Sequence, residues 1–578
     1  MNKLTAFLLF TFICLTTFAQ KPPHTDNPFT QDDWDKLGKT QQDSIKKLLF
    51  EEYKSDVKAT ETINVANANE VIDDAVKSVS TSTTLTITSY PQATLSTDIT
   101  KLKNLEEFTC DRCRALDLEK LFDQLSKLPK LKKLSLEGGE YKTIPNSIKK
   151  LSGLEVLNLK DNNIASLPDS IVLLKNLRAL NLQHNAYLYD DNVYALLKQM
   201  QVEDLNFSAS GLFEINNSIG DVKSLKHLDF SVNDIKTLPA SFSQLTNLQS
   251  LYINRNLKFD FTQAVVLLLP LSQLTELDVK ECNITTLPLD LGKLTWLKKL
   301  DVKGNRLTAL PLTFGSLSNL EYLDLSYFEM GARMNKITDL GPNFGNLKKL
   351  KYLNLAGNQL TTLPDAFGGL TDLMYLNVSL NKLSDFGLAI TKLNKLKTLD
   401  FGLNDCNNIP NEIGNLTQLE ILVLDGNFFN RPDKKIKTLP ETICALKNLR
   451  VLSLKDNVIE QLPTCIGNLT QLEKLDLRDN LISTLPESFT QLKNLNWLNL
   501  KANDITALPD GFSNLTALKQ LDCSMNLKMN YRIEKEKFAK MQQLLFLDLS
   551  YNNITKEQIT PLREALPNCK VINWDYKQ

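Results

Sequence analysis

The chain has 578 residues, 42% of them hydrophobic and 23% charged, with 66 basic against 67 acidic side chains. That near-neutral balance argues against a nucleic-acid or anionic-membrane partner, which leaves a basic surplus. Length alone suggests about four domains of roughly 150 residues each, a prior that an internal repeat overrides.

At the N-terminus Lys3, the apolar run Leu4 to Phe18 and the small Ala19 read as a secretory signal cleaved before Gln20, so residues 1–19 are expected to leave the mature chain. Cys14 follows Phe12 and Ile13, too bulky for a lipoprotein processing site, and is read as part of the apolar signal core. No other apolar stretch reaches the roughly 20 residues that cross a bilayer; Ala264 to Leu271 is far too short. The expected product is exported and soluble, whether periplasmic, cell-surface-associated or secreted. Residues 20–81 are polar. Ile45, Leu48, Leu49 and Tyr53, then Val71, Ile72, Ala75, Val76 and Val79, recur at helical spacing and predict two amphipathic helices, the second capping the open end of the repeat region beyond it.

From residue 82 the sequence repeats. Leu85, Ile87, Tyr90, Leu95, Ile99 and Leu102 form a degenerate first unit, and nineteen more open between Leu105 and Leu544. The clearest three are LRVLSLKDNVIEQLPTCIGNLTQ, LEKLDLRDNLISTLPESFTQLKN and LNWLNLKANDITALPDGFSNLTA, starting at Leu449, Leu472 and Leu495. In the first, Leu452 and Leu454 alternate as in a short strand. Ile459, Leu462, Ile466 and Leu469 then come at wider spacing, and Pro463 forbids a continuing ladder. The Asn column (Asn457, Asn480, Asn503) offers donors and an acceptor to turn backbone of its own and adjacent coils.

The pattern LxxLxLxxNxLxxLPxxIxxLxx resembles the leucine-rich repeat consensus, in its 23-residue LPxxI form. That resemblance implies an α/β right-handed solenoid of about 20 coils, with a parallel sheet on the concave face and short helices and turns on the convex face. A single unit cannot fold alone. About seven Leu-class side chains contribute roughly 10–20 kcal/mol, against about 35 for ordering 23 residues, so coils must stack. Most units are 23 residues long. Those opening at Leu105, Leu177, Leu248 and Leu518 run to 25 or 26, which predicts longer convex segments. Those at Leu320 and Leu419 reach 30 through insertions around Phe328 to Met334 and Phe429 to Lys435. After residue 565, a last strand is expected near Leu566 to Ile572.

Eight cysteines remain after the signal. Cys110, Cys113, Cys282, Cys406 and Cys523 occupy buried repeat positions and are expected to be free thiols; Cys444 with Cys465, in neighbouring units, is the one pairing the register suggests. Cys110-x-x-Cys113 has no partner pair for a metal. Asp385-Phe386-Gly387 spells a kinase signature, but Leu383 and Phe386 fill repeat positions and no phosphate loop accompanies it. G-x-x-x-x-G-K-[ST], H-E-x-x-H and G-x-S-x-G do not occur. His184 and His227 read as solvated surface, and the recurrent Asp or Asn between the two strand leucines (Asn158, Asp229, Asp278, Asp301, Asp476, Asp522, Asp548) as residues that solvate the sheet face, with an acidic groove for a cation or basic peptide as the alternative.

The outward strand positions carry the functional signal. Three consecutive units present Tyr322 with Asp324, Tyr352 with Asn354, and Tyr375 with Asn377, which stacks three tyrosines on the concave face, while Tyr327, Leu380, Leu403, Ile421 and Val423 extend the apolar area. Such surfaces anchor protein partners. Plant resistance-type and Ras-associated proteins carry similar repeats, which implies interaction, not catalysis. The expectation is a monomeric, cofactor-free module that holds a protein or peptide on its concave face. A glycan-binding or adhesive surface protein is the alternative.

Overall fold

The computed structural model describes residues 64–65, 83–186, 188, 192–326, 334–426 and 432–574. The expected signal, the two N-terminal helices, Tyr327, residues 328–333 of the first insertion and 429–431 of the second lie outside those residues.

Twenty-two short strands among the described residues form one sheet. Each is parallel to the next in chain order and paired without slippage: Leu323 opposes Leu353, Leu353 opposes Leu376, and Leu376 opposes Leu399. The two 30-residue units keep this register, since Tyr322 still opposes Tyr352 and Ile421 still opposes Val451. The strands on either side of each longer unit therefore pair as in the 23-residue units.

One continuous apolar interior runs under the sheet, built from the strand leucines and the convex-side Leu, Ile and Phe positions. Its largest buried rings include Phe314, Phe344 and Phe367, which stack coil upon coil at 6.2 and 6.0 Å between centroids. In most 23-residue units the return segment is a 3-10 turn entered through proline, as at Asp169–Leu173 after Pro168, although Asn217–Asp221 follows Asn216 and Ile390–Lys392 follows Ala389. The four units of 25 or 26 residues replace that turn with α-helix: Leu118–Leu125, Asn192–Leu197, Phe261–Leu268 and Tyr531–Ala539. Two or three added residues are what the shorter rise of an α-turn requires to cover the same span. A further helix, Lys556–Ala565, carries a Thr555/Gln558 capping box and precedes the strand Lys570–Ile572.

The Asn column acts as the sequence suggests. Asn457 donates through Nδ2 to its own coil at Leu454 (3.0 Å) and to the preceding coil at Leu424 (2.8 Å), and its Oδ1 accepts the Ile436 amide (3.1 Å). The residue before it, Asp456, is left-handed at φ 58°, and an equivalent left-handed residue recurs along the solenoid.

The cysteines correct one expectation. Cys282, Cys406 and Cys523 are free and buried, and Cys444 is bridged to Cys465, but Cys110 and Cys113 are also bridged to each other. The turn after each strand folds the Asn position back beside the second strand-leucine position. This sets the Cα atoms of Cys110 and Cys113 5.8 Å apart, within disulfide reach. At Cys282, which also replaces the column Asn, the thiol lies 3.3 Å from the Ile253 carbonyl of the preceding coil and substitutes weakly for the missing amide donor.

Candidate ligand-binding face

Because strand residues alternate, every unit sets three side chains on the concave face, one on each side of a central position. The central column carries a second capping system. Asp229 Oδ1 accepts the backbone N–H of Ser231 (2.8 Å), Asp278 that of Lys280 (3.1 Å), Asp301 that of Lys303 (3.0 Å) and Asp476 that of Arg478 (3.2 Å). Asn181, Asn206, Asn354 and Asn377 do the same for Gln183, Ser208, Ala356 and Ser379. At Asp324 the amide two residues on, Ser326, points out of the ladder, and the side chain satisfies it at 2.8 Å.

The expectation that these groups merely solvate the face is therefore corrected: Asp278, Asp301, Asp324 and Asp476 are buried. Burial pushes the Asp301 carboxyl up to about 7, aided by Asp324 and Asp278 beside it, and burial likewise pushes Asp476 up to about 7.

Over three coils the first concave column is aromatic. Tyr322 stacks on Tyr352 at 4.4 Å and Tyr352 on Tyr375 at 4.5 Å, with ring planes 6° apart in both pairs. The ladder spacing forces near-parallel rings. With both faces covered, Tyr352 is only 6% exposed, so the stack offers ring edges and hydroxyls, not open faces. Burial raises all three phenols above the usual tyrosine range. Lys299, paired with Glu276, lies 5.5 Å from the Tyr322 ring centroid and closes one end of the stack.

At the other end, past buried Thr398, Ile421 and Val423 join Val451 in an apolar cluster separate from the interior. Val423 occupies the central column, where an Asp or Asn is the rule, and the backbone N–H of Asp425 two residues on has no partner among the described residues. Asp425 itself accepts the Ser453 hydroxyl and faces Lys455 (3.4 Å).

The residues expected to bind fall into two groups. Tyr322, Asp324, Tyr352, Asn354, Tyr375, Asn377 and Ile421 share the concave face. Leu380 and Leu403 lie on its rim in left-handed turns (φ 55° and 57°), a conformation costly for leucine that Val232 and Met525 share. Asp324 is not a free contact group, since Ser326 and Asn354 already use both of its oxygens. Lys299, Thr398 and Val451 also border the patch, although the sequence pattern did not single them out. Their column positions were the available signal, since each stands one coil from a residue that it did.

His184 is exposed, as expected, and His227 half-buried, and each has a carboxylate beside it. His184 contacts Asp161, and His227 holds Ser250 Oγ at 2.7 Å from Nδ1, with Asp204 3.7 Å from Nε2. Asp385 is structural, accepting the Gly387 amide at 3.0 Å where Gly387 turns left-handed. Glu441 lies beside Cys444 and Cys465, but those two sulfurs are joined to each other and do not serve as thiolate ligands.

A single parallel sheet wound coil on coil, an asparagine ladder and a leucine interior define a leucine-rich repeat solenoid. The family model described as a leucine-rich repeat region matches residues 87–202, 334–438 and 429–573, and the chain belongs to that family. A search of the curated proteins gives no match. Among solved structures, the chain is similar to a leucine-rich repeat protein of Leptospira interrogans, at 25% identity and TM-score 0.54, covering 79% of this chain and 98% of that one. It also resembles the repeat ectodomain of the Arabidopsis thaliana receptor kinase GASSHO1/SCHENGEN3, solved in complex with CASPARIAN STRIP INTEGRITY FACTOR 2. There identity is 24% and TM-score 0.50, covering 85% of this chain and 63% of that one. A TDR receptor matches at 22% identity and TM-score 0.56, covering 92% and 90%.

Proposed function

We propose that this chain is a non-enzymatic binding module that holds a protein or peptide on the concave face between Tyr322 and Val451. The observation that carries the reading is Val423. Along most of the sheet the central column is spent on capping backbone amides, and here it is given to an apolar side chain that leaves the Asp425 amide uncapped. A chain that breaks its own local rule, next to a tyrosine stack, places functional residues where stability alone would choose others. Tyrosine edges and hydroxyls beside a small aliphatic patch suit a mostly apolar segment with a few hydrogen-bonding groups.

The same reading includes export. Two bridged cysteine pairs belong in an oxidising compartment, in keeping with the signal read at residues 1–19. No helix among the described residues is long and apolar enough to cross a membrane.

The test is affinity capture with the chain from Gln20 onward, then mass spectrometry and titration of the recovered partner. The triple variant Tyr322→Ala, Tyr352→Ala, Tyr375→Ala should lose the partner while its far-ultraviolet circular dichroism stays that of the parent. Undiminished binding by a folded triple variant would remove the patch from consideration.

A further inference from the structure

A second concave site lies well N-terminal of the tyrosine stack. Over the strands from Val156 to Tyr252 the first column shrinks to Val156 and Ala179 before returning to Asp204 and His227, and the step leaves a groove of about 260 Å³. That is below the roughly 300–1,000 Å³ of clefts that take drug-sized ligands, a size for one or two small rings.

Its lining is polar. Outside it, two central asparagines use both ends of the amide, Asn158 Nδ2 donating to Ser135 Oγ (2.9 Å) and Asn354 Nδ2 to Asp324 Oδ2 (3.3 Å), whereas Asn377 and Asn499 cap through Oδ1 alone. In the groove, Asn181 and Asn206 use Oδ1 for capping and leave Nδ2 without a partner among the described residues. Two free amide donors thus stand on neighbouring strands. Asp204 and Asp229 supply acceptor oxygens beside them, and no Lys or Arg lines the groove. Burial raises both carboxyls above the usual range, which lowers their charge and any preference for a cation. His227 is fixed through Nδ1 by buried Ser250, and its Nε2, 3.7 Å from Asp204, makes no hydrogen bond among the described residues.

The fold's rule is broken here too. Tyr252 stands in the central column in place of Asp or Asn, and the Asn254 amide that such a residue would cap has no partner among the described residues. An aromatic ring has displaced a cap at the wall of a groove that holds unpaired donors.

We infer that this groove is a second binding site and that it takes a neutral sugar unit of a glycan. Small apolar side chains at Val156 and Ala179 and the Tyr252 ring meet the C–H surface of a pyranose. Planar amides and carboxyls at its rim pair with vicinal hydroxyls, each of which both donates and accepts. The absence of a basic lining residue selects against sulfated or phosphorylated sugars. The site shares no residue with the tyrosine stack, so the two readings stand or fall separately.

The test is calorimetric titration of the full chain with neutral gluco-, manno- and galacto-oligosaccharides and with a sulfated counterpart. At least one neutral oligosaccharide should bind and the sulfated one should not. Tyr252→Asn is the decisive variant because it restores the cap that neighbouring strands use. Thermal stability should hold or rise while affinity falls about tenfold or more. Ala179→Leu, which fills the groove and touches no cap, should lose the same binding, and the triple tyrosine variant should keep it. Failure of every neutral oligosaccharide to bind overturns the inference, as does unchanged affinity in folded Tyr252→Asn, or capture of a protein partner that Ala179→Leu abolishes.

Discussion

Asn480 ties its coil to the previous one at Ile459, whose backbone N–H donates to Asn480 Oδ1 at 3.0 Å, while Nδ2 of the same side chain reaches Leu454 and Leu477 at 2.9 and 3.0 Å. With the Arg478 carbonyl at 3.2 Å, one buried amide thus satisfies four backbone groups across two coils. Replacing it with leucine keeps the size and strands all four. At about 1–3 kcal/mol for each group left unpaired, Asn480→Leu should cost about 3 kcal/mol or more. Because a solenoid couples only neighbouring coils, the damage stays local. Urea denaturation should show the loss, and amide exchange should accelerate between Leu454 and Leu477 while Asn162 and its neighbours stay protected. Uniform acceleration along the whole chain would count against the nearest-neighbour account.

The buried carboxyls set a pH dependence of unusual sign. Asp301 and Asp476 are raised to about 7 in the folded chain by burial, against an ordinary value of about 3.9 when unfolded. Between those values the folded state holds more protons than the unfolded state, so these groups stabilise the fold at low pH, and that contribution is lost as pH rises from about 4 to about 7. The effect is at most about 4 kcal/mol each. Asp301→Asn keeps the oxygen that caps Lys303 and removes the titration; Asn354 and Asn377 already use that solution in the same column. The variant should match the parent at pH 4 and exceed it in thermal stability at pH 8. An unchanged pH profile would mean Asp301 ionises normally.

Periodicity is what makes most of this fold legible in the sequence. The leucine register, the strand after each unit opening, the Asn column and the absorption of both 30-residue units were all readable, because one-dimensional stacking turns spacing directly into neighbours. Two things were not. The Asp and Asn between strand leucines looked like surface because alternation alone assigns them to the open face; their burial comes from packing between coils, and their capping role from an amide that leaves the ladder. Cys110 and Cys113 looked like separate core thiols because register names the slot each fills but not how closely the turn brings two slots together. The tyrosine stack was readable as a juxtaposition. That Tyr352 hides both ring faces was not, since it depends on ring tilt.

The two disulfides should contribute unequally. Cys444 and Cys465 are 21 residues apart and Cys110 and Cys113 only 3. Loop-closure entropy gives about 3 kcal/mol for a loop near the first size and about 2 for the second. Alkylation under denaturing, non-reducing conditions should label Cys282, Cys406, Cys523 and Cys569 and spare the four bridged residues. The Cys444→Ala, Cys465→Ala pair should lower the unfolding midpoint more than the Cys110→Ala, Cys113→Ala pair. Labelling at Cys110 in protein purified from an oxidising compartment would disprove the first bridge.

Val423 separates stability from binding most cleanly. In the same column, Asp400 one coil before it and Asp476 two coils after it cap the amides of Gly402 and Arg478 at 3.1 and 3.2 Å, so an asparagine at position 423 has a ready partner in the Asp425 amide. The exchange gives up apolar contact with Ile421 and Val451, which at about 25 cal/mol per Å² is worth about 1 kcal/mol. It gains a capped amide worth a similar amount. Val423→Asn should therefore unfold within about 1 kcal/mol of the parent, whereas a partner that rests on the patch should dissociate about tenfold faster or more. A residue kept for packing alone predicts the reverse, a destabilised variant with an unchanged off-rate, and surface plasmon resonance alongside urea denaturation distinguishes the two.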